Sequence, residues 1–280
     1  MHELNDYFKN LDDRIRLIES RRKLITKAER TIKSRLLVYL KKSTRSSVRF
    51  CRQGSWALDT LIVSKKGYCD LDFGVRLYPS PDLSTKTMQS HIKKALIGLE
   101  DVSSITCKNK CVRVYYDGSF HIDITIYGLE GFAESPSLAT KEDWEFSDPS
   151  GLKKWFEDKA GKKQGQLRKI VKYLKLWADL KAKKMPAGLC FTVLATENYV
   201  PASSDFLSLK YTTRNILDAL EDEFICEMPV EPNDDLFENW TNTHRDYFLN
   251  SLASFSEDLN SVSSSKPSEA VRLLNRHFKK

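Results

Sequence analysis

The sequence predicts a mixed α+β protein in which a small mixed sheet is followed by a helical lobe. Three observations predict it. The stretch from Leu4 to Lys42 has no proline or glycine and carries apolar residues at helical spacing. Short runs punctuated by glycine occupy the region from Ser47 to Tyr127. Beyond Gly131 the pattern becomes mostly helical.

Taken in order, Leu11, Ile15, Leu17, Ile18, Leu24, Ile25, Ile32, Leu36, Leu37 and Leu40 are apolar positions at helical spacing among charged residues. They read as one long N-terminal helix bridging both parts of the protein, or as two short ones. Ser47 to Arg52 and Tyr68 to Tyr78 read as strands, with a helix from Ser84 to Leu99. Val112 to Tyr116 and Phe120 to Tyr127 form a predicted hairpin turned at Asp117-Gly118. Ser135-Pro136-Ser137 and Asp148-Pro149-Ser150 mark loops. Helices are then predicted over Gln164 to Lys184, Leu189 to Glu197, Asp205 to Phe224, Thr243 to Leu259 and Pro267 to Phe278. This layout divides the chain into residues 1–140 and 141–280.

Hydrophobic residues make up 41% and charged residues 30% of the sequence, which excludes a disordered or fibrous chain. The net charge of +7 favours an anionic partner, although scattered solvated lysines also account for it. Cys51, Cys69, Cys107, Cys111, Cys190 and Cys226 do not form a dense secreted framework. Cys107 and Cys111 lack a second Cys/His pair, so they read as two core thiols in a strand region rather than half of a zinc site. With no signal core and no apolar stretch near membrane-span length, a cytoplasmic protein without membrane association is expected.

The chemistry concentrates in two alternating segments. In Cys69-Asp70-Leu71-Asp72-Phe73-Gly74-Val75, a strand turns the apolar residues to one face and puts Asp70 and Asp72 together on the other. Strands disfavour aspartate, and two like charges repel, so a divalent cation between them makes the arrangement reasonable. Phe120 to Tyr127 repeats the pattern, with His121, Asp123, Thr125 and Tyr127 on the polar face. A third carboxylate at Asp123 completes a two-metal site of the phosphoryl-transfer kind. Upstream, Gly54-Ser55 follows a strand and precedes a short predicted helix, where glycine lets a phosphate approach the backbone. The order is Gly-Ser, fourteen residues, Asp-x-Asp, fifty residues, Asp.

This pattern resembles the signature of the polymerase-β-like nucleotidyltransferases. Gln53-Gly54-Ser55, Thr60-Leu61-Ile62, the segment Tyr68 to Val75 and the stretch Leu167 to Trp177 are similar to one branch, the bacterial CD-NTases. These are related to cyclic GMP-AMP synthase and oligoadenylate synthase. The resemblance implies a nucleotidyltransferase core with a spine helix over residues 1–140 and a helical lobe over 141–280 that closes the nucleotide cleft. It implies a cyclic di- or trinucleotide made from nucleoside triphosphates, ATP among them, with release of pyrophosphate. The product would act on a downstream effector in antiphage signalling. The implied cofactor is Mg²⁺, as two ions, with Mn²⁺ a possible substitute.

Carried over residue by residue, Asp70 and Asp72 bind both metals with the triphosphate. Asp123 binds the catalytic metal and helps deprotonate the ribose hydroxyl. Gly54 and Ser55 hold the β- and γ-phosphates, and Gln53 lies with them among the substrate-binding residues. Lys175 reaches the triphosphate from the helical lobe. The turn Pro186-Ala187-Gly188 lacks the serine that relatives often place there, so the Gly188 N–H is expected to replace it. Tyr199 either stacks on a base or packs at a helix end.

Gly151 to Lys184 holds twelve Lys/Arg against three Asp/Glu, which reads as a nucleotide-binding wall or as a solvated helix face. The zinc module that reads double-stranded nucleic acid in the animal sensors has no counterpart motif, and a monomer or weak oligomer is expected. The ending Arg276-His277-Phe278-Lys279-Lys280 follows a helix directly, which points to an enzyme working without C-terminal conjugation. Two other functions fit the pattern: nucleotide transfer to a protein, tRNA or small-molecule acceptor, and an inactive scaffold binding RNA or a partner.

Overall fold

The computed structural model describes residues 2–117, 120–130, 136–161 and 164–279. The predicted turn residue Gly118, the Gly131 to Ser135 stretch and Lys280 lie outside the described residues. The chain forms two compact units: Leu17–Leu61 with Lys66–Gly151, and Met1–Arg16 with Ile62–Lys65 and Leu152–Lys280.

The first unit is built on one mixed sheet. Its strands are β1 (Ser47–Gln53), β2 (Cys69–Tyr78), β3 (Val102–Cys107), β4 (Val112–Tyr116), β5 (Phe120–Gly128), β6 (Ser137–Ala139) and β7 (Trp144–Phe146). The order is β1-β2-β5-β4-β3, with β6 paired to β5 and β7 to β6. Only β2 and β5 run parallel. Alternation decides which face is buried. Cys69, Leu71, Phe73, Val75 and Leu77 of β2 and Phe120, Ile122, Ile124 and Ile126 of β5 are all buried. Two helices supply the rest of this core: α2 (Glu19–Thr44) through Ile25, Ile32, Leu36 and Leu40, and α4 (Thr85–Leu96) through Met88, Ile92 and Leu96. Ser84 caps α4 by accepting the Thr87 N–H at 3.2 Å. The single turn α3 (Gly54–Ala57) joins β1 to the loop before β2.

The second unit is helical: α1 (His2–Ile15), α5 (Pro149–Ala160), whose first residues belong to the sheet unit, α6 (Gln164–Asp179), α7 (Gly188–Glu197), α8 (Asp205–Asp222), α9 (Asn242–Val262) and α10 (Pro267–Phe278). Ser204 caps α8 and Thr241 caps α9. The core holds Trp177, Tyr173, Phe191, Phe248, Phe255 and Phe278, all essentially buried. Trp177 and Phe255 stack with centroids 5.1 Å apart.

Several boundaries differ from expectation. Of the two readings of the N-terminal segment, the structure has two helices, α1 and α2, separated at residues 16–18 and belonging to different units. Leu17 is buried while Ile18 is 58% exposed, so packing and not a breaker residue turns the chain. Strands β6 and β7 carry the sheet past residue 140, and the units divide at 151/152 rather than at 140/141. Helix α6 stops at Asp179, short of Lys184, where the Asp179 carboxylate accepts the Lys65 N–H.

Candidate active site

The sheet brings the three aspartates onto one face. Asp72 of β2 and Asp123 of β5 are direct register partners across the parallel pair, and Asp70 pairs with His121. The side chain of Asp70 is 69% exposed. That of Asp123 is 14% exposed and is held by Arg113 of β4, whose Nε and Nη2 each donate to one carboxylate oxygen at 2.7 Å. This pairing reinforces the positive charge of Arg113 and raises its pKa. The Cys111 thiol also donates to Asp123; burial first, and then this carboxylate, push it up to about 12.

Gly54 lies against Asp72. Its φ is +53°, and a Cβ there would lie 2.1 Å from Asp72 Oδ2 and 2.9 Å from Cγ. Both the backbone conformation and the closeness of the carboxylate require glycine. Ser55 follows within α3, and its carbonyl accepts the Thr60 N–H at 2.9 Å.

Gln53 does something other than expected. It is 5% exposed, and its Oε1 accepts the Thr125 hydroxyl at 2.8 Å and the Tyr127 hydroxyl at 3.2 Å. Its amide lies over Gly74, where a Cβ would come within 2.4 Å of Nε2. Gln53 thus ties β1 to β5 beneath the Gly-Ser turn. His121 Nε2 lies 3.1 Å from Asp70 Oδ1, yet it is buried without a well-directed hydrogen bond. Burial lowers the His121 pKa, so the ring is neutral at pH 7.

In the helical unit, Lys175 of α6 lies across Gly188 at the start of α7. A Cβ at Gly188 would sit 3.2 Å from Lys175 Cε and 3.7 Å from Nζ. Ala187 gives α7 no side-chain cap, and the first turn of this helix lies beside the Lys175 side chain. Tyr199 donates its hydroxyl to Gln166 Oε1 at 3.0 Å, and burial raises its pKa. Its hydroxyl is therefore tied into helix packing.

Arg113 was not singled out in the sequence, and Cys111 was read only as a thiol of a strand region. The hairpin contained the signal: a three-residue connection between Tyr116 and Phe120 sets Arg113 opposite Asp123. Three carboxylates on one face are the hard oxygen donors that suit a small divalent cation. Among the described residues, no three such side chains are already gathered at metal-binding distance. The donor chemistry fits, while Asp123 is engaged with Arg113.

The mixed sheet followed by a helical unit is the fold of the DncV nucleotidyltransferases. Residues 48–127 match the family described as cyclic GMP-AMP synthase DncV-like, nucleotidyltransferase domain. The chain is 26% identical over 209 residues to a cyclic GMP-AMP synthase of Escherichia albertii, covering 68% of this chain and 46% of the relative. It is 25% identical over 193 residues to a c-di-GMP synthase of Roseivirga ehrenbergii, covering 54% and 51%. The chain thus spans about half the length of these relatives. The fold of Vibrio cholerae DncV, a cyclic AMP-GMP synthase, superimposes with a TM-score of 0.83 at 19% identity, covering 98% of this chain and 95% of that one. Escherichia coli DncV superimposes with a TM-score of 0.77 at 19% identity, covering 96% and 93%. These comparisons make the chain similar to the CD-NTases, with the family match lying over residues 48–127.

Proposed function

We propose that this protein joins nucleoside triphosphates, ATP among them, into a cyclic di- or trinucleotide and releases pyrophosphate. The observation that carries the reading is the packing of Gly54 against Asp72, with Asp123 as the lateral partner of Asp72 and Asp70 exposed beside them. The relatives named above are synthases of cyclic GMP-AMP and c-di-GMP, and DncV has been crystallised with nonhydrolyzable GTP.

Asp70, Asp72 and Asp123 would hold two Mg²⁺ ions, or Mn²⁺ in their place, and the bound metal would supply charge neutralisation for the triphosphate. Gly54 lets the β- and γ-phosphates approach the backbone, and Ser55 offers its hydroxyl. Asp123 accepts the proton of the attacking ribose hydroxyl on a carboxylate oxygen. In the helical unit, Lys175 and the Gly188 N–H bind phosphate oxygens. We further propose that the enzyme works in the cytoplasm and that its product acts on an effector in antiphage signalling. The described cysteines are all unpaired, and no described helix is long and apolar enough to cross a membrane.

The test is incubation with the four labelled triphosphates and Mg²⁺, followed by phosphatase and nuclease mapping. A phosphatase-resistant product formed from nucleotides alone is expected. Label transferred only when a protein, tRNA or small-molecule acceptor is added would refute cyclisation.

A further inference from the structure

Arg113 is bonded where a metal ligand is needed. Its guanidinium spans both oxygens of Asp123 at 2.7 Å, and the side chain of Arg113 is itself only 28% exposed. The contact is fixed by the backbone, because β4 sets Arg113 directly opposite Asp123. The Tyr115 ring, on the same strand face, lies 5.9 Å from the guanidinium carbon. A carboxylate held in this fork has spent the lone pairs that point into it. A dication arriving at Asp123 also meets a fixed positive charge across the carboxylate.

We propose that Arg113 is a positioning residue. In the nucleotide-free protein it holds Asp123 and keeps the third carboxylate from joining Asp70 and Asp72 around a metal. The group that releases it is a polyphosphate anion, which offers a guanidinium the same bidentate geometry as a carboxylate. Metal loading is thereby coupled to nucleotide binding: the chain without nucleotide binds divalent cations weakly, and nucleotide frees Asp123. This inference rests on the three-aspartate reading above and concerns the order in which that site assembles.

The test is Mn²⁺ binding to the full chain without nucleotide, read as loss of the free-ion electron paramagnetic resonance signal. Arg113→Gln is expected to tighten Mn²⁺ binding about ten-fold, the equivalent of about 1.4 kcal/mol. Arg113→Lys keeps one charge but loses the fork, and a smaller tightening of about two- to three-fold is expected. This second variant preserves the cross-strand ion pair should the glutamine variant fold poorly. Adding Asp123→Asn to either variant should erase the gain. Equal affinity in wild type and both Arg113 variants, or a gain that survives Asp123→Asn, would overturn the proposal. Asp72→Asn distinguishes the two levels of failure. If Mn²⁺ binding depends on Asp72 but not on Arg113, only the positioning role falls. If it depends on neither Asp72 nor Asp123, the metal-site reading falls with it.

Discussion

Replacing Gly54 by alanine probes the site where backbone and carboxylate meet. The substitution has two separable costs. At φ +53° an L-residue pays about 1–2 kcal/mol relative to glycine. The new methyl would also lie 2.1 Å from Asp72 Oδ2, so this carboxylate must retreat by roughly 1 Å to reach van der Waals distance. The retreat is cheap for stability, because a carboxylate tip can rotate, but it displaces a proposed metal ligand. Thermal unfolding should therefore show a modest loss, of roughly 2–4 °C per kcal/mol for a chain of this size. Turnover should fall on the order of 100-fold, the scale of an ångström's misplacement in a catalytic group. Adding Asp72→Ala removes the clash but leaves the φ penalty, so the double variant should unfold near the temperature of Gly54→Ala. Gly54→Ala with unchanged turnover would refute the argument that Asp72 must stay against Gly54.

Lys175→Ala should weaken nucleotide binding about ten-fold or more by removing a charge-assisted phosphate contact, whereas Lys183→Ala, whose ammonium lies over the Tyr247 ring, should change little. Equal effects in a nucleotide titration would reduce the basic helix to a diffuse field. Gln53→Ala should cost about 1 kcal/mol in denaturant unfolding, because it removes an acceptor shared by the Thr125 and Tyr127 hydroxyls, of which Thr125 keeps the Phe73 carbonyl at 3.3 Å. A loss of nucleotide affinity without loss of stability would show that this amide faces the ligand instead. His277 is buried beside Asp258 at 2.8 Å, and burial holds its pKa below the ordinary imidazole value. The unfolded chain then binds the proton more tightly, so this stability is present above pH ~6.5 and lost as pH falls through the lower folded value. Unfolding temperature should decline from pH 7 towards pH 5, and His277→Gln should flatten that slope; an unchanged slope would contradict the sign.

The strands that carry the aspartates were legible because burial on one side imposes strict alternation, as in Cys69 to Val75 and Phe120 to Ile126. Helix starts at Thr85, Asp205 and Pro267 were legible from Ser84, Ser204 and the proline itself. Strand β3 received no bounds of its own beyond the strand region around Cys107, because exposed Ser103 and Ser104 break the apolar alternation. Strands β6 and β7 were missed because three residues cannot establish a period. The break between α1 and α2 left no mark, since tertiary packing and not glycine or proline ends the first helix. Within the candidate site, the residue types followed from strand geometry, but their partners did not. Gln53 looked like part of a phosphate loop because it precedes Gly54, yet its burial on the aspartate face, against Thr125 and Tyr127, depends on β5 lying two strands away. Arg113 looked like one more surface charge until the hairpin register set it on Asp123.

The central claim is that the Asp70, Asp72 and Asp123 face transfers nucleotidyl groups. Pyrophosphate release from ATP and GTP with Mg²⁺, compared between the wild-type chain and Asp70→Asn/Asp72→Asn, tests it most directly. The account predicts release by the wild type, its suppression by EDTA, and none above background from the double variant. The variant should unfold at or above the wild-type temperature in the absence of metal, because two neighbouring charges have been removed. Pyrophosphate release by the folded double variant at the wild-type rate would contradict the account.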